Sequence, residues 1–340
     1  MRKWPLVTII ISNLNGISLK LLPECLNSLM KPNYPSWELL VVDNNSKDKS
    51  VDYLKKRFSK IKNCKIIQNP VNMYSQGLNL GAKMASGKYL AYFNNDVAIK
   101  KGYFQELVKK FEKEPSLAIA QGKLLNYYDH KLIDSAGETM DKYGNPVTIG
   151  AKQEDAGQYD KEEEILSASG SACIIRKETF DKLKGYDPDF GIGYEDMDLV
   201  LRARRMGYKV KRFPKAIVYH KRASTDLADF IKIKVKWHFN KNRLTTMLKN
   251  YPDQLLLETI FITVLLYIGI TFWEWFVNKN WQLGKVRLSS IGWVIIHLPT
   301  IFAKRRQVSK MSAKNLGESE LNLFSPKTLG ALFTEFKGVK

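Results

Sequence analysis

Four groups of polar residues interrupt apolar stretches. Each has a chemistry and a plainer structural alternative. Asp96 closes Phe93-Asn94-Asn95-Asp96-Val97, directly after an apolar run. A carboxylate placed there, beside two amides, can hold a divalent cation that in turn holds phosphates. The alternative is a turn, because Asn and Asp side chains bond the nearby backbone. Glu195-Asp196-Met197-Asp198 puts three acids in four residues where a helix begins. The helix dipole stabilises acids at that position whatever their role. Tyr186, Phe190, Gly191, Gly193 and Tyr194 precede them, as the wall of a pocket would. A carboxylate at the end of such a wall can act as general base toward a hydroxyl. His220 follows a short strand and is one of only four histidines. By itself it is a structural histidine; with Asp96 it would form a metal site. Asp43 ends a strand, where it can accept bonds from a ribose or a base N–H, or close an Asx turn with Asn44 or Asn45.

The elements around these residues alternate in type. Leu6–Ile11, Glu38–Val42, Lys65–Gln68 and Tyr89–Phe93 read as buried strands. Leu19–Met30, Val51–Phe58 and Tyr74–Ala85 have helical spacing between them. This order predicts a doubly wound α/β sheet, parallel in its first half, with ligands beyond the carboxyl ends of the strands. Asp43 and Asn94-Asn95-Asp96 lie at two such ends. The middle, Gln121 to Glu164, reads as loops and short strands. Leu166–Ile175 reads as a strand, Glu178–Lys184 and Asp196–Met206 as helices, and Ala216–Tyr219 as a short strand running into His220.

The chain has 340 residues, of which 44% are hydrophobic, enough for a catalytic domain with an appendage. Cys25, Cys64 and Cys173 are few and far apart, which excludes a disulfide framework and a cysteine zinc site and suits a reducing compartment. Leu6–Ser12 is too short for a signal peptide, so the reading is a cytoplasmic chain. The net charge of +20 predicts acidic partners. It is uneven: Val200 to Asn250 holds fifteen Lys and Arg against Asp226 and Asp229.

Taken in order, these residues resemble the family 2 glycosyltransferases, which have the GT-A fold, and most of all their rhamnosyltransferase-like branch. The resemblance runs from about Pro5 to Asn250. It is carried by Val7–Asn15 (VTIIISNLN), Val41–Ser50 (VVDNNSKDKS), Gly77–Gly81 with Ala85–Tyr89, Phe93–Val97 (FNNDV), Asp155–Asp160 (DAGQYD), Gly170–Lys177 (GSACIIRK) and Val218–His220. Its most specific piece is Gly185–Arg204, GYDPDFGIGYEDMDLVLRAR, and Asn242-Arg243-Leu244 matches a late element. The resemblance implies a metal-dependent, inverting transfer of a sugar from a nucleoside diphosphate sugar to a hydroxyl of a glycan or lipid-linked acceptor. It implies Mg²⁺ or Mn²⁺ on Asp96 and His220, and Asp196 as base with Glu195 as its acidic neighbour. Ser12, Asp43, Asn44, Gly77, Asn94, Asn95, Gly170 and Ser171 would bind the nucleotide sugar. Leu14 stands where the family often has tyrosine, Met73 where glycine is usual, Asn94 in place of the first aspartate of Asp-X-Asp, and Lys221-Arg222-Ala223 in place of glycine-rich sequence.

The expected division is a glycosyltransferase domain over 1–225, a basic amphipathic connector over 226–252, apolar membrane-associated helices over 253–306 and a polar tail over 307–340. Leu255–Val277 is the most apolar stretch, but its uncharged centre, Thr259–Trp273, falls short of the ~20 residues a span needs. Leu288–Ala303 is a second apolar stretch, broken at His297 and Pro299. A spanning topology would leave a basic cluster outside, against the positive-inside tendency. The reading is therefore helices lying in the cytoplasmic face of the membrane, with Lys232–Lys249 toward anionic lipid and no nucleic-acid partner. The plainer alternative is apolar helices buried on each other or in a dimer. Two other functions share the features: a polyprenyl-phosphate sugar synthase, and a non-enzymatic basic protein binding membrane or nucleic acid.

Overall fold

Strand register decides what the sheet can present at its rim. In the computed structural model, which describes residues 4–30, 34–222, 229–311 and 324, the chain divides into two units. The first comprises Met1–Glu138, Thr148–Gly191 and Tyr208–Asp226; the second comprises Thr139–Val147, Ile192–Gly207 and Leu227–Lys340. This division is discontinuous. Residues 192–207, with the three-acid segment, fall in the second unit. Of the expected polar tail, 312–323 and 325–340 lie outside the described residues.

The first unit is a mixed sheet. Strands β1 (Val7–Asn13), β2 (Trp37–Asp43), β3 (Cys64–Gln68) and β4 (Tyr89–Asn94) are parallel, in the order β4-β1-β2-β3. Helices α1 (Leu22–Leu29), α2 (Ser50–Phe58) and α3 (Tyr74–Met84) alternate with them. β1 and β2 are apolar without alternation because helices must cover both faces of a parallel sheet; Ile9, Ile10, Ile11, Val41 and Val42 are all fully buried. Short β5 (Val97–Ile99) and helix α4 (Tyr103–Lys113) follow. Beyond β4 the sheet continues through β11 (Ala172–Arg176), β6 (Leu117–Asn126), β12 (Lys209–His220) and β10 (Glu163–Glu164), with β7 (Ile133–Ser135) beside β6. β11 is antiparallel to β4 and to β6, and β12 is parallel to β6. Strands β8 (Glu138–Met140) and β9 (Pro146–Thr148) form a separate ribbon.

Three expectations about this half change. The stretch expected as loops and short strands from Gln121 to Glu164 opens inside β6, a ten-residue strand buried over nine residues, and only beyond Asn126 breaks into short strands. Gln121 and Lys123 disguise it. Each is buried but satisfied: Gln121 Oε1 accepts from Ser169 N at 2.6 Å, and Lys123 Nζ lies 2.6 and 2.5 Å from Asp155 and Asp160. The strand expected over Leu166–Ile175 is confined to β11, because Gly170 and Ser171 sit in a turn. The short strand at Ala216 is the end of the twelve-residue β12. Pro214 suggests a start there, but the register shift between Phe213 and Ile217 absorbs it as a bulge. Gly122 permits that close approach, since a Cβ there would lie 2.0 Å from Ala216 O.

The second unit is helical. α6 (Glu195–Arg205), which follows α5 (Lys177–Lys182) of the first unit, packs on α7 (Asp229–Asn250), and α7 packs with α8 (Asp253–Phe276), α9 (Trp281–Ile296) and α10 (Leu298–Met311). The expected break at His297 separates α9 from α10, which turn by 64°. α8 is built inside out. Thr259, Thr263 and Thr271 are buried, each hydroxyl bonded to the carbonyl four residues back. Leu257, Phe261, Leu265, Ile268, Phe272 and Phe276 recur every three or four residues on the exposed face. α8 is also the one described helix long and apolar enough by itself to cross a membrane. The basic run is only partly a surface. Lys241 and Lys249 are buried, Lys241 against the rings of Trp237 and Trp293, so that part of the expected lipid-facing charge is structural.

Candidate active site

Register brings the polar strand ends of the first unit onto one rim. Asn13 pairs with Asp43, and Ser12 with Asn94. Asn13 is the hinge of the group: its Nδ2 donates to Asp43 Oδ1 at 2.8 Å, and its Oδ1 accepts from Asn95 Nδ2 at 2.9 Å. Asp43 also accepts from the Ser46 hydroxyl at 2.5 Å and the Ser46 amide at 3.0 Å. The Asx turn therefore exists, closed by Ser46 rather than by Asn44 or Asn45. Asp43 remains at the strand end, 2% exposed.

A second chain of bonds fixes the next wall. Asn44 Nδ2 donates to Ser12 Oγ at 3.0 Å, and Asn44 Oδ1 accepts from Asn69 Nδ2 at 2.9 Å. Gly77 passes against this pair, where a Cβ would lie 2.3 Å from Asn44 Oδ1. Asn94 Oδ1 accepts from Tyr74 OH at 2.7 Å, and the same hydroxyl lies 3.3 Å from Gly170 O. Asn94 N donates to Ser171 O at 3.0 Å. The eight residues expected to bind nucleotide thus fall into three bonded groups along one rim of the sheet, with Gly77 in contact with the Asn44 group. Sequence reading omitted Asn13, Asn69 and Tyr74. Asn13 was within reach, since it lies in the same SNLN segment as Ser12; Asn69 and Tyr74 carry no signal apart from their partners.

Asp96 and His220 meet because β5, which follows Asp96 at once, pairs with the end of β12, Val97 opposite His220. His220 Nε2 stands 3.3 Å from Asp96 Oδ2, and its Nδ1 stands 2.8 Å from Asp134 Oδ2. Arg222, in left-handed backbone at φ 51°, binds the other oxygen of Asp134 and donates to Asp134 O at 3.0 Å. Burial opposes charge on His220, but the two carboxylates outweigh it and raise its pKa to about 9. A carboxylate fixing the far nitrogen of a histidine is the arrangement that orients a metal ligand. Among the described residues no three His, Cys, Asp or Glu side chains gather as a complete metal cage. Two protein ligands with open positions suit a cation that must also take diphosphate oxygens.

The three acids at the start of α6 sort themselves within the second unit. Asp198 is fully buried and structural: Arg202 Nη2 lies 2.8 Å from Oδ2, and Lys249 Nζ lies 2.9 Å from Oδ1. Asn250 Nδ2 also donates to Oδ1 at 2.9 Å, so Asp198 locks α6 to α7. Glu195 is buried, its Oε2 without a hydrogen-bond partner among the described residues; burial, then the charge of Asp196, pushes its carboxyl well above the usual range. Asp196 is the half-exposed one, its Oδ1 accepting from Met197 N at 2.7 Å. The approach is strained at Tyr194, a non-glycine residue at φ 67°, which follows Gly193 at φ 79°. Tyr194 OH donates to Gly144 O at 2.9 Å, and Asn242 Nδ2 to Ile192 O at 3.0 Å and Gly193 O at 2.6 Å. This gives the late Asn242 element a task, holding the turn before Asp196.

The family model described as glycosyl transferase family 2 matches residues 8–184, just over half of the chain. The chain belongs to glycosyl transferase family 2. A second model, described as the N-terminal domain of galactosyltransferase, matches residues 156–224. The O-antigen biosynthesis protein RfbC of Myxococcus xanthus is 26% identical over 210 residues, 60% of this chain and 16% of RfbC. The chain spans about half or less of the first curated relatives it matches. The family 2 chain shares the GT-A fold with GalNAc-T7, solved with UDP, GalNAc and Mn²⁺, at a TM-score of 0.60 and 14% identity, covering 88% of this chain and 58% of that one. It also resembles the mannosyltransferase PcManGT of Pyrobaculum calidifontis, solved with GDP-Man and Mn²⁺, at a TM-score of 0.54 and 15% identity, covering 94% and 86%.

Proposed function

We propose that this family 2 chain transfers a sugar from a nucleoside diphosphate sugar to a hydroxyl of a glycan or lipid-linked acceptor, with inversion. The observation that carries the reading is the Asp96–His220 pair, oriented by Asp134, beside the asparagine-rich rim of β1, β2 and β4. Asp43, Asn13 and Asn95 would receive the nucleoside; Asn94, Gly170 and Ser171 would line the sugar side. Asp96 and His220 would hold Mg²⁺ or Mn²⁺, which supplies positive charge to the leaving diphosphate. The Mn²⁺ in the two structural neighbours supports a divalent metal without choosing between these ions. Asp196, half-exposed at the N-terminus of α6, would take the proton of the attacking hydroxyl. Removal of a base typically costs ~10²–10⁴-fold, so Asp196→Asn should abolish most turnover. Product anomeric configuration read by NMR tests inversion: a retained configuration would contradict it.

The chain would work at a membrane. The outward apolar face of α8 runs from Leu257 to Phe276, about 28 Å at 1.5 Å per residue, while the threonine face packs inward. A soluble helix shows the reverse pattern, and apolar patches of this extent mark an interaction surface. An in-plane position on the cytoplasmic face fits a helix with one face already covered by its own chain. Flotation with anionic vesicles, against a Phe261→Ser/Phe272→Ser double variant, tests it; unchanged flotation of the variant would contradict it.

A further inference from the structure

The helical unit holds a cavity of about 420 Å³ that no step above uses. Its walls are of two kinds. Leu266, Ile270, Trp273 and Val286 are apolar, while Arg243 of α7 and Arg287 of α9 are cationic. The two guanidiniums lie on the ring of Tyr267, at 5.3 and 6.0 Å from its centroid. Arg243 Nε donates to Tyr143 O at 2.8 Å. Arg287 Nε and Nη1 are buried, and among the described residues neither has a hydrogen-bond partner. Buried guanidinium N–H groups without acceptors are costly, and a charged group left so calls for a missing partner. Glu274 lines the same cavity and accepts from Asn278 Nδ2 at 3.1 Å; with Lys236 also at the wall, positive charge exceeds negative.

We propose that this cavity binds the phosphate end of a hydrocarbon-borne phosphate, the lipid part of the acceptor. Arg287 supplies the free donors, charged N–H groups that phosphate oxygens accept strongly. The apolar walls take the first carbons of the chain. The outward face of α8, apolar from Leu257 to Phe276, lets the remainder leave into lipid. A free anion would not need those walls. The cavity also adjoins the candidate base: Phe239 lines it, packs on Tyr194 at 5.7 Å, and closes on Gly193, where a Cβ would lie 2.5 Å from its ring. Gly193 and Tyr194 lead directly into Glu195 and Asp196. The assignment to an acceptor rests on the transferase reading; the binding itself does not.

The test is calorimetry on the full chain in a neutral glycoside detergent. The probes are dodecyl phosphate below its micelle concentration, inorganic phosphate, dodecyltrimethylammonium and short-chain phosphatidylglycerol. One saturable site for dodecyl phosphate is expected, at least tenfold tighter than for each of the others. Arg287→Gln should weaken it at least tenfold and Arg287→Lys less. Arg287→Gln should leave the thermal midpoint without ligand unchanged or higher, because an unpaired buried charge is removed. Equal binding of the ammonium would mean an apolar slot only, and equal binding of inorganic phosphate a free-anion site; either overturns the proposal. Equal binding of phosphatidylglycerol overturns the acceptor assignment. A fall in midpoint with affinity unchanged makes Arg287 structural and also overturns it. Nucleotide binding in the same sample separates the two readings. If nucleotides fail to bind while dodecyl phosphate binds, the transferase reading falls and the cavity stands; the reverse result removes the cavity alone.

Discussion

His220 points Nε2 at Asp96 from 3.3 Å, and the two residues reach that position from the end of one strand and the start of another paired with it. The far side of the ring is fixed by Asp134, itself fixed by Arg222. The imidazole is therefore held in one orientation, each ring nitrogen facing a carboxylate.

Asp134 should accordingly matter for metal without touching it. Loss of a carboxylate that orients a ligating histidine typically costs 10–100-fold in metal affinity. Asp134→Asn should weaken Mn²⁺ binding by that much while the circular dichroism spectrum is unchanged, as read by the free-Mn²⁺ signal in electron paramagnetic resonance. Wild-type affinity in the variant would make Asp134 a packing residue only.

The raised pKa of His220 has a signed consequence for the chelated chain. Its folded value, about 9, lies above the unfolded 6.5, so the charged contacts contribute fully below pH 6.5 and are lost as pH rises to about 9. The whole effect is on the order of 3 kcal/mol. Denaturation midpoints with chelator present should fall across that window, and His220→Gln should flatten the fall. Metal affinity should move oppositely, rising with pH, because the ligand must first lose its proton. An equally steep fall in His220→Gln would assign the titration elsewhere.

Glu195 and Asp196 are separable by isosteric change. Burial, then the charge of Asp196, favours the protonated form of Glu195, which Gln imitates, so Glu195→Gln should keep activity within a few-fold, whereas Asp196→Asn should lose most of it. The raised value also means that stability from the Glu195 proton is complete below about pH 4.5 and declines above it. Glu195→Gln should gain stability relative to wild type between pH 5 and 8. Inactivation by Glu195→Gln as deep as by Asp196→Asn would make Glu195 a working carboxylate.

Asp198 has a stability role. Removing one partner of a buried pair costs about 3–5 kcal/mol, and Asp198 pairs with both Arg202 and Lys249. Asp198→Ala should lower the unfolding free energy by that amount in urea titration. A change below about 1 kcal/mol would show the lock between α6 and α7 to be dispensable.

Much of this was legible before the structure. Asp96 and His220 stood at strand ends, and continuous Ile and Val runs marked the parallel strands between helices. Other features were hidden for physical reasons. β6 carries buried Gln121 and Lys123, whose partners are distant in sequence, so it resembles a loop. Pro214 disguised the length of β12, because a bulge can accommodate what a regular ladder cannot. Asp134 precedes Ser135 and Ala136 in a polar stretch and is meaningful only through His220. The three acids of α6 look equivalent in sequence; burial and distant cations make one structural, raise the pKa of a second and leave the third half-exposed. The basic run misled in part, since net charge does not tell which cations, such as Lys249, neutralise acids inside the molecule.

The most direct test of the account is calorimetric titration of the purified chain with UDP-, dTDP- and GDP-sugars, with and without Mn²⁺, beside Asp96→Ala. The account predicts that one nucleotide binds, that Mn²⁺ strengthens it at least tenfold, and that Asp96→Ala removes the metal effect. Binding of no nucleotide by folded chain, or binding indifferent to both Mn²⁺ and Asp96, would contradict it.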